Sequence, residues 1–134
     1  MTLNPFTLNI DAPFFKVAEI FQERSIRHLP IVNKNGVIMG IISQRDLNAV
    51  ASPERNEKGQ YVYNMEALAQ YVLKQHVIQK VATLMPEDPV EKALELMIGN
   101  KFGCIPIVDK ESHVVGIVTA LDLEKLLLKI LREG

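Results

Sequence analysis

The chain has little of several residue types, and each shortage excludes a class of protein. Its 134 residues include one cysteine, Cys104, so no disulfide can form within the chain. We therefore expect a reducing, cytoplasmic location. No apolar run approaches the roughly 18 residues of a membrane span. Residues 1–5 lack the basic and apolar regions of a signal peptide, so no membrane association is predicted.

Neither sign of charge is in surplus. Lys and Arg number 15, Asp and Glu number 16, and the net charge is −1. Both halves of the chain are close to neutral. A surface that binds the phosphate backbone of nucleic acids is strongly basic, so we expect no nucleic-acid partner. A small site that holds one phosphate group needs only one or two nearby cations, so the charge balance does not exclude such a site.

The chain contains two copies of one pattern, offset by 76 residues. Residues 30–34 lie over 106–110, residues 40–43 over 116–119, and Asp46-Leu47 over Asp122-Leu123. Between Pro30 and Leu47, 8 of 18 positions are identical. An internal duplication is therefore the basis of the predicted fold.

Each repeat is predicted to form a strand, a helix, a hairpin and a second helix. Apolar residues at helical spacing follow Pro13, and Asp11 or Ala12 can cap that helix. Asn35-Gly36 is typical of a hairpin turn, and Ser43 can cap the helix after it. The predicted strands are 6–10, 31–32 and 37–42 in the first repeat, and 82–84, 107–108 and 114–118 in the second. The fold class is mixed α+β.

The segment between the repeats differs from both of them. Residues 52–60 are polar and predict a mobile loop, whereas 64–74 carry an apolar stripe typical of a helix. That stripe packs on its own module or forms a subunit contact. The apolar residues within 124–132 exceed what a lone exposed helix carries, which predicts contact with a second copy. The predicted divisions are 1–51 for repeat 1, 52–76 for the linker and 77–134 for repeat 2.

A polar motif is duplicated together with the apolar pattern. It reads Gly-h-h-[Ser/Thr]-x-x-Asp, with h apolar, and it ends in Asp46 and in Asp122. A carboxylate at this place can accept two hydrogen bonds from the hydroxyls of a ribose, and a helix N-terminus favours an anion. The alternative is a capping box, which needs no ligand. Conservation of the polar residues in both copies favours a ligand.

These residues carry a family resemblance over nearly the whole chain. The stretches Met1-Thr2-x-Asn4-Pro5-x-Thr7, Arg27 to Val32 and Gly40 to Asp46, with their second-repeat partners, resemble a tandem pair of cystathionine-β-synthase (CBS) domains, or Bateman module. The resemblance implies two pseudo-twofold β-α-β-β-α repeats with small three-stranded sheets and two clefts between them. It also implies an adenosine ligand such as AMP, ADP, ATP or S-adenosylmethionine, a flat homodimer, and regulation of another protein.

The resemblance also implies roles for individual residues. Asp46 and Asp122 would hold ribose hydroxyls, with Ser43 and Thr119 beside the ribose or α-phosphate. Thr7 and Thr83 would line the adenine end, and the expected phosphate-binding cations are Arg27, His28 and Arg45. The second repeat has Gly103, Cys104 and Leu121 at those three positions, so the Asp46 cleft, or whichever cleft Arg27 and His28 reach, is the expected phosphate site.

Other candidate sites are weaker. His28 and Cys104 occupy equivalent positions, but a zinc site needs four close ligands, so no metal site is predicted. Cys104 is expected to be a small buried apolar residue, and His28 is either structural or a ligand contact. No catalytic arrangement is visible. We expect a non-catalytic, ligand-sensing regulator with an unidentified protein partner and no obligatory cofactor. The alternatives are a ligand-free dimerisation scaffold and a regulatory fragment of a larger protein.

Overall fold

The structure is a computed structural model that describes residues 2–77, 81–100 and 102–134. The fold is mixed α+β, as predicted. A 3₁₀ turn at Leu73–Gln75 lies between the third and fourth helices. In chain order, the elements are β1 (Thr2–Leu3), β2 (Leu8–Asn9), α1 (Phe15–Glu23), β3 (His28–Val32), β4 (Ile38–Ser43), α2 (Gln44–Ala51), β5 (Glu54–Arg55), β6 (Tyr61–Val62), α3 (Met65–Leu68), α4 (Val90–Asn100), β7 (Cys104–Val108), β8 (Val114–Thr119) and α5 (Ala120–Glu133).

Each repeat is built on a small three-stranded sheet, but the second sheet takes a strand from the start of the chain. In repeat 1 the strand order is β2-β3-β4, with β2 parallel to β3 and β3 antiparallel to β4. In repeat 2 the order is β1-β8-β7, and Thr2 pairs with Ile117. The strand predicted at 82–84 is reduced to a single bridge from Leu84 to Ile107. The first strand of repeat 1 is likewise shorter than predicted.

The two repeats meet along a seam on their pseudo-twofold axis. Val37 and His113, which are equivalent under the 76-residue offset, form an antiparallel bridge. The backbone N–H of Ile38 donates to the carbonyl oxygen of Ser112 at 3.0 Å. Close to this seam, Ile41 and Ile117, a second equivalent pair, are buried together with Cys104. The repeats are therefore joined by both backbone hydrogen bonds and apolar contact.

Strand alternation divides the residues of β3 between two faces of the first sheet. Leu29 and Ile31 face the helices and belong to the large core of repeat 1, which also contains Phe14 and Leu47. His28 and Pro30 consequently face the second repeat. The same alternation along β4 places Ile42 in the helix-side core and Ile41 in the seam.

The start of α1 differs from the sequence prediction. The helix begins at Phe15, its N-cap is Phe14, and no side-chain cap bond forms among the described residues. Asp11 does not cap the helix, because it lies three residues before the N-cap position, in a turn where its backbone N–H donates to Oδ1 of Asn9. The helix is held by its buried face rather than by its cap.

The segment between the repeats also differs from its prediction. The predicted loop contains a hairpin, in which Glu54 pairs with Val62 and Arg55 with Tyr61. The helix predicted over 64–74 is reduced to α3 and the 3₁₀ turn, since the chain turns away at Gln70 and leaves Val72 54% exposed. The packing that the segment achieves is nevertheless extensive: Tyr63, Leu68, Leu73 and Val77 join the core of repeat 1.

Some sequence predictions involve residues that the structure does not describe. The division into 1–51, 52–76 and 77–134 stays a prediction, and residues 78–80 near its second boundary lie outside the described part of the chain. Met1, which opens the first motif of the family resemblance, also lies outside it. None of the helices in the described ranges is long and apolar enough to cross a membrane.

Replacement of Phe14 by alanine tests the packing of the inter-repeat segment. Phe14 is 1% exposed, and its ring lies 5.5 Å from that of Tyr71 and 5.3 Å from that of His76. Phe14→Ala should lower the free energy of unfolding by about 3–5 kcal/mol, because it leaves a cavity in the core. Val72→Ala, in the same segment but exposed, should change it by less than about 0.5 kcal/mol. Chemical denaturation measures the free energy of unfolding of both variants. Equal losses would contradict the packing of Phe14 against the inter-repeat segment.

Candidate functional site

The duplicated motif forms the same local structure in both repeats. Ser43 ends β4 and caps α2: its Oγ accepts from the backbone N–H of Asp46 at 3.0 Å. In return, Oδ2 of Asp46 accepts from the backbone N–H of Ser43 at 2.9 Å. Thr119 and Asp122 repeat both bonds, at 3.2 and 2.9 Å, where β8 meets α5. Both motifs are thus complete capping boxes.

The capping boxes leave part of each carboxylate available. Of the oxygens of Asp46 and Asp122, only Oδ2 makes a hydrogen bond to another described residue. Both aspartates are half-buried. A free Oδ1 beside a helix N-terminus can still accept from a ligand hydroxyl. Capping and ligand binding are therefore compatible in this geometry.

His28 lies between the motif and the second repeat. It is the cross-strand partner of Ser43, just as Cys104 is the partner of Thr119. A Cβ atom added at Gly103 would lie 3.2 Å from Nε2 of His28, which is tighter than an ordinary van der Waals contact, so the imidazole packs closely against this glycine. Burial lowers the pKa of His28, and the charge of Asp46 opposes this effect only in part.

Gly103 was missed in the sequence analysis. It was noted there only as the uncharged residue opposite Arg27 in the alignment of the repeats. The structure shows what this glycine contacts: a side chain at 103 would require the ring of His28 to shift by a few tenths of an ångström. The sequence did carry one signal, since a glycine stands at 103 where the first repeat has the side chain of Arg27. The sequence alone does not show which residue fills the space.

The structure separates Arg27 from His28. Arg27 lines a surface cleft of about 640 Å³ between the end of α1 and the β5–β6 hairpin, with Phe21 and Tyr63 as part of its apolar lining. Phe21 and Tyr63 belong to the helix-side core, whereas His28 faces the second repeat. The cleft approaches the motif at Gln44, whose backbone N–H donates to the carbonyl oxygen of Arg27 at 2.9 Å.

The remaining predicted site residues lie at the surface. Arg45 is exposed in the first turn of α2, and its side chain makes no hydrogen bond or ion pair to another described residue. Thr7 is exposed one residue before β2, and Thr83 is exposed one residue before the Leu84 bridge. Their roles in binding stay predictions. Within the described ranges, no group of three or more His, Cys, Asp or Glu side chains could hold a metal ion.

Cys104 is a buried thiol. It is 6% exposed and packs with Ile41 and Ile117. Burial, together with the nearby charge of Asp122, raises the pKa of the thiol to about 12. A thiolate is the reactive form of cysteine, and this thiol stays protonated at neutral pH. Cys104 therefore acts as a small buried apolar residue, as the sequence analysis predicted.

These features define a class of protein: two pseudo-symmetric α+β repeats, each with a polar motif at the point where its last strand becomes a helix. The profile of the CBS domain matches residues 1–52 and 73–129. The chain belongs to the CBS domain family. It is 32% identical to a CBS domain-containing protein of Dictyostelium discoideum, over 98% of this chain and 90% of that protein.

Solved structures share the fold. The CBS domain pair of protein MJ0100, in complex with 5′-methylthioadenosine and S-adenosyl-L-methionine, is 26% identical, with a TM-score of 0.74 over 92% of this chain and 91% of that one. CBSX2 in complex with AMP has a TM-score of 0.76 over 97% and 93% of the two chains, at 20% identity. Some relatives are longer: the chain covers 20% of a homoserine O-acetyltransferase of Methanohalobium evestigatum, to which it is 27% identical.

The pH dependence of stability tests the environment of His28. Because burial lowers its pKa in the folded chain, the unfolded chain binds more protons once the pH falls below about 6.5. The free energy of unfolding should therefore decrease between pH 7.5 and pH 5. His28→Gln should weaken this dependence, since it removes the group that titrates.

Urea denaturation across that range, without nucleotide, measures the effect. His76 and His113 are present in both proteins, so their contributions cancel in the comparison. Identical slopes for the wild-type chain and His28→Gln would show that His28 is not in a buried environment.

Proposed function

We propose that this chain is a regulatory module that binds an adenosine-containing nucleotide between its repeats and has no catalytic activity of its own. The observation that carries the proposal is the duplicated Ser/Thr–Asp motif, whose half-buried carboxylates each have, at a helix N-terminus, one oxygen that makes no hydrogen bond to another described residue. Vicinal hydroxyls of ribose are natural donors to such a carboxylate. The MJ0100 pair, which binds two adenosine compounds, supports the ligand class.

The two proposed sites are not equivalent. The Asp46 side carries His28, Arg45 and, at the neighbouring cleft, Arg27, whereas the Asp122 side has Gly103, Cys104 and Leu121 at the corresponding positions. Cations favour a phosphate group. We therefore expect a phosphorylated nucleotide at the Asp46 site. The Asp122 site would take a less charged adenosine compound or stay empty.

Binding would act through the angle between the repeats. Among the described residues, the seam includes the Val37–His113 bridge, with its hydrogen bond from Ile38 to Ser112, and a small apolar cluster. A ligand that contacts both repeats shifts their relative position by as much as its affinities for the two arrangements differ. The output would pass to another protein or to further domains of a longer chain. A homodimer in the cytoplasm is the expected working form.

A ligand-free scaffold is the second candidate function. Both motifs form complete capping boxes, which stabilise their helices without a ligand. Thermal unfolding with AMP, ADP, ATP and S-adenosylmethionine separates the two candidates. A ligand at a hundredfold excess over its Kd adds about 2.7 kcal/mol to the free energy of unfolding. If none of the four at millimolar concentration raises the melting temperature, the scaffold function is correct.

Asp46→Asn tests the ribose contact while preserving the helix cap. The amide oxygen can still accept from the backbone N–H of Ser43, but the charge that holds the ribose hydroxyls is lost. Affinity for the best ligand of the panel should fall roughly 10- to 100-fold. Isothermal titration calorimetry measures it.

Asp109→Asn is the matched control for this substitution. Asp109 also accepts from backbone N–H groups, those of Glu111 and His113 at 2.9 Å, but it lies in the hairpin turn of repeat 2. Its replacement should leave affinity unchanged. Equal affinities for Asp46→Asn and the wild-type chain would remove Asp46 from the site.

Arg27→Ala tests the phosphate contact. Arg27 is exposed and its side chain makes no hydrogen bond or ion pair to another described residue, so folding should be unaffected. Affinity for AMP should fall about tenfold, as expected for the loss of one charge-assisted hydrogen bond, and affinity for adenosine should change little. Lys34→Ala, in an exposed hairpin turn, is the control. Equal losses for AMP and adenosine would show that Arg27 does not bind phosphate.

A further inference from the structure

One side chain of repeat 1 packs directly on the backbone of repeat 2. The Nε2 and Cε1 atoms of the His28 imidazole face Gly103, since a Cβ atom built on that glycine would lie 3.2 Å and 3.6 Å from them. Groups that are packed this closely transmit small displacements to one another. A movement of the ring therefore changes its contact with Gly103.

Gly103 is bonded to the helix that carries the second aspartate motif. Its carbonyl oxygen accepts from the backbone N–H of Ala120, the first residue of α5, at 3.1 Å. In the same helical turn, Asp122 closes the capping box with Thr119. The contact made by His28 therefore falls on a residue that helps to fix the first turn of α5.

His28 also belongs to the surroundings of the Asp46 motif. It pairs across the sheet with Ser43, the N-cap of α2. The charges that act on the imidazole are those of Asp46 and Arg27, both in repeat 1, whereas Gly103 on the repeat-2 side is uncharged.

The nitrogens of the His28 imidazole can still gain a partner. The ring makes no hydrogen bond to another described residue, and within the described ranges no unpartnered side-chain nitrogen or oxygen is fully buried. Solvent therefore reaches the ring nitrogens. A proton or a polar group of a ligand can reach them in the same way.

The corresponding position of repeat 2 carries no titrating ring. Under the 76-residue offset, His28 corresponds to Cys104. Burial raises the pKa of that thiol to about 12, so it stays neutral at physiological pH. A change of charge can therefore pass from the Asp46 motif towards α5 by this route, and the Asp122 motif has no equivalent group for the reverse direction.

We propose that His28 is a positioning residue that couples the Asp46 motif to the first turn of α5. A proton or a ligand phosphate at the imidazole shifts the ring against Gly103, and the hydrogen bond from Ala120 transmits this shift to the capping box of Asp122. The role of the phosphate rests on the proposed function, whereas the effect of the proton needs no ligand. The two proposed nucleotide sites are then not independent, and each changes the affinity of the other by the same factor.

The imidazole supplies the two states that such a coupling requires. Histidine changes its charge near neutral pH, and an imidazolium attracts the carboxylate of Asp46 more strongly than a neutral ring does. A change of charge therefore alters the preferred position of the ring. Because the ring is packed closely on Gly103, even a small movement alters that contact.

A pH titration followed by NMR, without nucleotide, tests the coupling. Between about pH 8 and about pH 5, a range that spans the ordinary pKa of histidine, the amide signals of Ala120 and Asp122 should inflect at the same pH as the ring signals of His28. His28→Gln should abolish this inflection. His113→Gln is the matched control, because this histidine also lies in repeat 2 but contacts Asp109 in the hairpin turn. The inflection should persist in the control.

Two results of the pH titration would overturn the coupling. One is the absence of an inflection at Ala120 in the wild-type chain, and the other is an inflection that survives in His28→Gln. If circular dichroism shows that His28→Gln is unfolded, His28→Asn replaces it with the same expectation.

Addition of AMP to the same samples separates the coupling from the proposed function. AMP should shift the amide signal of Ala120 in the wild-type chain and shift it less in His28→Gln. Equal shifts in the two proteins would show that the ligand does not act through His28. If AMP binds neither protein, the proposal of an AMP site fails, and the pH titration still decides whether His28 is coupled to α5.

Discussion

Neither repeat can cover both faces of its own small sheet, so the fold depends on packing the two repeats against each other. A sheet is stable only when its apolar faces are packed against another layer. Each sheet uses its two helices on one face and the other repeat on the opposite face, so Ile41 and Ile117 are buried only because the repeats are together. The fold thus depends on this seam, and so does the nucleotide site that we propose between the repeats.

The duplication gives both repeats nearly the same backbone and capping boxes. The residues around those boxes differ between the repeats. The capping boxes at Asp46 and Asp122 share their geometry to within 0.2 Å in each bond. Around them, His28 faces Gly103, and the thiol of Cys104 replaces an imidazole. The helix layers differ more strongly, since only repeat 1 is covered by residues 61–77. One half consequently carries the cations that we propose for a phosphate group, and the other exposes apolar residues on its helices.

Local signals in the sequence were sufficient where the chemistry is local. The hairpin at Asn35-Gly36 forms, with Gly36 at a φ of 81° and Asn33 accepting from two backbone N–H groups. The caps at Ser43 and Thr119 form because donor and acceptor lie three residues apart. The prediction of one helix over 64–74 was wrong. The same apolar spacing also fits a chain that turns after a short helix and still buries Leu68 and Leu73. Tertiary packing decided between these two conformations.

The sequence by itself determined the duplication, the α+β pattern, the two aspartate motifs and the family, because each depends on residue types at fixed spacing. Tertiary structure alone decided that Thr2–Leu3 joins the sheet of repeat 2 and that Arg27 and His28 lie on opposite faces. It also decided that residues 61–77 cover the helix layer of repeat 1. These features depend on distances between residues far apart in the chain, where burial and backbone pairing, rather than spacing, select the partner.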